Sequence, residues 1–171
     1  IGQPYNMELR TNQQLGYIVA SGASSRDNYS YMYFIIQSDG YAADVVEKRS
    51  LEFLANISSL LDEITEEAFD TFKSAVREKI NETSTSISEE AKKRFDRAFE
   101  FDNNHDRDTQ TLSALDVMTI DDMRSKLLSV LDPKTKQSVT VLLYAKEHNI
   151  TNEKNHTFKD LHEWKKTRNF Q

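Results

Sequence analysis

Two early runs of β-branched and aromatic residues, four later stretches with apolar residues at helical spacing, and no alternation between the two kinds predict an α+β fold. An antiparallel sheet should pack against several helices in the order α-β-β-α-α-α-α-β. A doubly wound parallel sheet would need strands and helices to alternate, and they do not.

The first helix follows from Tyr5 to Gln14, which holds no breaker after Pro4, a residue tolerated in a first turn; Gly16 is expected to end it. Tyr17-Ile18-Val19-Ala20-Ser21 reads as a strand, and Tyr29 to Ser38 as a longer one. The intervening residues from Gly22 to Asn28 carry turn chemistry, so the strands should form an antiparallel hairpin closed by Asp39-Gly40. Val46, Phe53, Ile57, Leu60 and Leu61 then predict one helix over 41–62. Thr65 can cap the next, whose stripe is Phe69, Phe72, Val76 and Ile80. Ser86-Ile87-Ser88-Glu89 has the form of a capping box ahead of Ile87, Ala91, Phe95, Ala98 and Phe99. Residues 102–110 read as a polar connection. Thr119, with Asp122 three residues on, opens a helix that Asp132-Pro133 stops. Val139, Val141 and Leu143 alternate within Ser138 to Ala145, which predicts a third strand. The whole of 1–171 reads as a single domain with a polar C-terminal tail at 149–171, including a short helix around Lys159 to Lys166. Three strands are few for so many helices, and the chain starts at Ile1 with its first Met at Met7; both predict further strands upstream in a longer polypeptide.

Composition excludes several functions. The chain has 171 residues with 22 Lys+Arg against 28 Asp+Glu, a net charge of −6 that offers no surface for neutralising phosphates. The absence of Cys removes disulfides, thiol nucleophiles and cysteine zinc clusters. No apolar run approaches the roughly 18 residues of a membrane span.

Most chemical signatures fail as well. His105, His148, His156 and His162 never stand three or four apart, so no helical ligand pair exists. His162-Glu163 lacks the second His of a zincin, and the inverted His-x-x-Glu-His is absent. Neither a Gly-x-Ser-x-Gly elbow nor a glycine-rich phosphate loop is present. The acids of Asp62-Glu63-Ile64-Thr65-Glu66-Glu67 suit the positive end of a helix dipole. Trp164-Lys165-Lys166-Thr167-Arg168 reads as a solvated end. Asn-x-Ser/Thr sequons at Asn28, Asn56, Asn81, Asn149 and Asn155 are what a composition rich in these residues produces by chance.

One constellation remains. In Leu9-Arg10-Thr11-Asn12-Gln13-Gln14-Leu15-Gly16-Tyr17-Ile18-Val19 a guanidinium stands at a helix end and a phenol at a strand start, with Gly16 to turn the backbone between them. Arg10 and Tyr17 could converge and present strong donors to carbonyl oxygens or an oxyanion. The alternative is commonplace: an Arg paired with a local acid and a Tyr packed at a strand end.

The segment Leu-Arg-Thr-x-x-Gln-Leu-Gly-Tyr-Ile-Val at 9–19 resembles a hallmark of the C-terminal region of pitrilysin-type zinc metallopeptidases, the family of insulin-degrading enzyme (insulysin) and nardilysin. Phe34-Ile35-Ile36-Gln37-Ser38, Ile64-Thr65-Glu66-Glu67-Ala68-Phe69, Val139-Thr140-Val141-Leu142 (the family's final strand) and Phe158-Lys159 extend the likeness over nearly the full chain. The resemblance implies four homologous α+β domains in two halves that close around peptides. The first domain holds zinc through His-x-x-Glu-His, whose Glu activates water. This chain is then implied to be the fourth, substrate-binding domain of a zinc metalloendopeptidase. It would bind no metal itself and be inactive alone. Its implied partners are peptide substrates and the other domains of the polypeptide, with neither nucleic acid nor membrane; homo-oligomerisation is left open and the implied compartment is the cytoplasm. Arg10 and Tyr17 match the residues that reach substrate backbone near the scissile bond, orienting it and stabilising the tetrahedral intermediate. Two departures stand out. Family members carry Phe-Asp where this chain has Asn6-Met7, and Lys-Glu where it has Asn12-Gln13. They leave open an alternative, a noncatalytic binding or scaffold domain from an inactive paralogue.

Overall fold

The computed structural model describes residues 1–26, 29–132, 134, 136–148 and 166. The expected tail at 149–171, its helix around Lys159 to Lys166, and the sequons at Asn28, Asn149 and Asn155 fall outside the described residues, Lys166 excepted.

Helix α1 (Gly2–Asn6) takes Pro4 in its first turn and runs directly into a π-helical segment (Met7–Asn12). Gly16 does not end this helix. Helical backbone finishes at Asn12, and Gln14 turns the chain with a left-handed φ of 52°. Strands β1 (Ile18–Arg26) and β2 (Tyr29–Gln37) pair antiparallel from Ile18 opposite Gln37 to Arg26 opposite Tyr29. The stretch expected as a loop from Gly22 is therefore mostly strand. Its small residues enter the ladder because large ones face them: Ala23 opposes Met32, Ser24 opposes Tyr31, and Gly22 opposes Tyr33. The Tyr33 phenol covers Gly22 so closely that a Cβ there would stand 2.6 Å from Tyr33 Oη. An aromatic laid over a glycine restores the packing that the missing side chain forfeits.

The expected third strand at 138–145 does not form. These residues carry no regular hydrogen-bonded structure, and Leu143 is 85% exposed. Alternation alone does not make a strand without a partner strand to pair with, and among the described residues β1 and β2 pair only with each other.

Helices complete the fold. The single helix expected over 41–62 is two, α2 (Ala43–Ala55) and α3 (Ile57–Asp62). The break lies at Asn56, whose side-chain amide donates to the Glu52 carbonyl at 3.0 Å and competes with the helix. Helix α4 (Glu66–Asn81) starts on a Thr65 cap, and α5 (Ile87–Phe99) on Ser86, whose hydroxyl accepts the Glu89 N–H at 3.2 Å. The Glu89 carboxylate turns to the Thr85 N–H at 2.8 Å. The polar connection over 102–110 is shorter than expected, because α6 (Arg107–Val117) begins inside it. Left-handed backbone at Asp102 and Asn103 turns the chain, and Leu115 gives α6 a side chain to bury. Thr119 and Asp122 form a full capping box at the start of α7 (Ile120–Leu131).

Two groups of buried side chains result. Tyr5, Leu9, Leu15 and Val19 pack with Phe34, Ile36 and Phe53, joining α1, the π-helical segment, the hairpin and α2. Tyr5 is the hub: its ring lies 5.1 Å from Phe34 and 5.3 Å from Phe53, and its hydroxyl meets Ser50 Oγ at 2.8 Å. Ile57, Leu61, Phe69, Leu115 and Ile120 are buried on α3, α4, α6 and α7. There Arg124 of α7 donates to the carbonyls of Leu61 at 3.0 Å and Ile64 at 2.8 Å. Helix α5 buries none of its residues. Asp108 of α6 holds it through Arg97 and, at 3.2 Å, through Lys93, while Phe99 is 72% exposed.

Candidate functional site

The π-helical segment carries Arg10 in its last turn, and Tyr17 stands just before β1. Leu9 and Leu15 flank Arg10 and are buried in the core, so the residues between them must bulge outward. This anchoring leaves Arg10 exposed and Tyr17 80% exposed. The structure brings the two together, with the Arg10 guanidinium carbon 5.7 Å from the centre of the Tyr17 ring. That is within cation–π range. Five guanidinium N–H donors and a phenol hydroxyl thus share one open patch, which can receive peptide carbonyl oxygens.

Gly16 makes this approach possible through lack of bulk. Its φ is not positive, so conformational freedom is not its contribution. A Cβ on it would lie 2.1 Å from the Gln37 carbonyl oxygen, so the chain entering β1 passes directly against the end of β2. The bend expected at Gly16 is made at Gln14 instead.

Two further side chains make hydrogen bonds beside the patch. Asn6 donates its side-chain amide to the Val19 carbonyl at 2.7 Å and ties α1 to β1. Glu8 accepts Asn12 Nδ2 at 2.7 Å on one carboxylate oxygen and Gln13 Nε2 at 2.8 Å on the other. These bonds, Gln13 first and then Asn12, hold the Glu8 carboxyl below its ordinary pKa. Sequence reasoning missed Glu8. Its spacing of four to Asn12 is a helical signal, but its spacing of five to Gln13 becomes a contact only in a π-helical turn.

Among the described residues, no three His, Asp or Glu side chains gather to hold a metal ion. Zinc does not fit the donor set of this patch, and no chemical step here runs through it. Among the described residues, no helix is long and apolar enough to cross a membrane.

Comparison with known proteins now bears on the patch. A family model described as the C-terminal lobe domain 4 of PQQ synthase PqqF-like proteins matches residues 1–95, which include Arg10 and Tyr17. The insulin-degrading enzyme of Mus musculus is 31% identical over 150 residues, covering 86% of this chain and 14% of that protein. The insulin-degrading enzyme of Homo sapiens is 30% identical over 149 residues with the same coverage. A nardilysin-like protein of Arabidopsis thaliana is 28% identical over 90 residues, 53% of this chain and 9% of its own length. The crystal structure of pitrilysin shares the fold, with a TM-score of 0.66 at 21% identity over 77% of this chain and 14% of that one. The chain spans 14% of the length of the insulin-degrading enzymes it matches.

Proposed function

The chain belongs to the C-terminal domain of the insulinase (pitrilysin-type) peptidase family, and from that premise we propose that it is the substrate-binding domain of a zinc metalloendopeptidase that degrades peptides. The zinc belongs to another part of that polypeptide. This domain holds the peptide main chain against the catalytic half.

One observation carries the reading: Arg10 and Tyr17 stand side by side on an open surface, 5.7 Å apart, on a backbone pinned from both sides by buried Leu9, Leu15 and Val19. An exposed arginine beside an exposed phenol has no partner requirement of the fold to explain it. Arg10 grips a substrate carbonyl through its planar donor fork, and Tyr17 donates its hydroxyl to the same segment. Donors fixed before the substrate arrives need no reorganisation as negative charge develops on the scissile carbonyl.

The test is Arg10→Ala and Tyr17→Phe in the full-length peptidase. Each lost donor should remove about 2–4 kcal/mol of transition-state stabilisation, a fall of roughly 30- to 1,000-fold in kcat/KM. Zinc content should stay unchanged. Wild-type turnover in both variants would refute the role. A noncatalytic scaffold domain is the competing reading; the departures at Asn6-Met7 and Asn12-Gln13 are what favour it. It predicts that the full-length protein binds peptides without cleaving them.

A further inference from the structure

A π-helical turn is less favourable than an α-helical one and persists where something holds it open. Three of the bonds that close the turn meet at one residue, Glu8. The Gln13 N–H donates to the Glu8 carbonyl at 2.9 Å, a five-residue bond at the end of the widened turn. The Asn12 and Gln13 side-chain amides donate to the two oxygens of the Glu8 carboxylate at 2.7 and 2.8 Å. Arg10 sits in the middle of the loop that these three bonds enclose.

We propose that Glu8 is a positioning residue whose carboxylate, gripping Asn12 and Gln13 on separate oxygens, keeps the turn in the π form that aims Arg10 at Tyr17. The inference rests on the role proposed above for Arg10. Without the carboxylate, residues 12 and 13 are released and the turn can tighten into α geometry. That change swings Arg10 about the helix axis and away from the Tyr17 ring. Glu8 touches neither substrate nor reacting atoms and acts through Arg10 alone. With a carboxylate at 8 the device needs an amide rather than an acid at 13, because a carboxylate there would repel Glu8 where Gln13 donates to it.

The experiment is a double-mutant cycle in the full-length peptidase, with Glu8→Gln, Arg10→Ala and their combination, read as kcat and KM on a peptide substrate. Glu8→Gln should lower kcat/KM by about three- to tenfold. On the Arg10→Ala background it should do nothing further, because a residue acting through Arg10 has no route once Arg10 is gone. Exchanging the partners, Glu8→Gln with Gln13→Glu, rebuilds a carboxylate–amide pair and should restore most of the loss. That recovery also separates positioning from misfolding. Equal losses from Glu8→Gln with and without Arg10 would overturn the proposal. So would an unimpaired Glu8→Gln beside an impaired Arg10→Ala, and that outcome leaves the role of Arg10 standing. Wild-type activity in Arg10→Ala would remove both together.

Discussion

Gly16→Ala is the sharpest probe of how the site is built. The added methyl would sit 2.1 Å from the Gln37 carbonyl oxygen, 2.8 Å from its carbon and 3.1 Å from Ser38 Cα. All three are backbone atoms, so no flexible side-chain end can yield. Relief requires the chain around Gly16 to move off β2 by more than an ångström. Overpacking of this kind typically costs 1–3 kcal/mol, and a clash with backbone atoms that cannot rotate away belongs at the top of that range, about 3 kcal/mol. Gly40→Ala is the matched control. No atom lies within 4 Å of the added methyl there, and no glycine has a positive φ. Removing unfolded-state freedom at such a site should stabilise by about 0.4–1 kcal/mol. The two substitutions should therefore have opposite signs. Thermal or urea denaturation of the chain is the assay, with Gly16→Ala falling roughly 6–12 °C in Tm. Equal stability for the two variants would refute the reasoning. Peptidase activity of the full-length Gly16→Ala protein should fall too, since Tyr17 moves with its neighbour.

Tyr5→Phe keeps the aromatic hub but loses the bond to Ser50 Oγ, and should cost about 1 kcal/mol by urea denaturation. Arg124→Ala removes the side chain that donates to both the Leu61 and Ile64 carbonyls and should cost about 2 kcal/mol; Arg124→Lys should not recover it, because a point charge cannot span both acceptors. The Asp122 carboxyl is held below its ordinary pKa, first by the Thr119 hydroxyl and then by the Thr119 N–H. A lowered folded-state pKa means stability that is complete above the unfolded carboxylate pKa and is lost as pH falls through the folded one. Asp122→Asn should therefore flatten the acid side of the stability profile measured by circular dichroism, relative to wild type.

Much of this architecture was legible in the chain because it was written in short-range chemistry. Thr65, Ser86 and Thr119 marked three helix starts, since a hydroxyl three residues before a free N–H is a local matter. Arg10 and Tyr17 could be picked out as a guanidinium and a phenol a few residues apart around Gly16, in a segment that resembles a known family's, although the bend itself is made at Gln14. What escaped depended either on distant partners or on single side-chain bonds that no hydrophobic period records. Val139, Val141 and Leu143 alternate as a strand does, yet a strand needs a second one beside it. Ser24 and Ser25 look like a loop until Tyr31 and Ser30 are placed across from them. Asn56 broke a continuous apolar stripe through one side-chain hydrogen bond that periodicity does not register. The π turn was hidden for the same reason, because a five-residue closure coincides with no hydrophobic period.

The attachment of α5 has a practical corollary. With its aromatic side open and two cations sharing the Asp108 carboxylate, the named anchorage of this helix is ionic, whereas Tyr5 and its neighbours are held by close packing. Added electrolyte weakens the first kind of bond and leaves the second nearly untouched. Ionic strength thus becomes a selective lever. Raising it should let amides of residues 87–99 exchange with deuterium sooner, while those beside Leu9 and Val19 keep their pace.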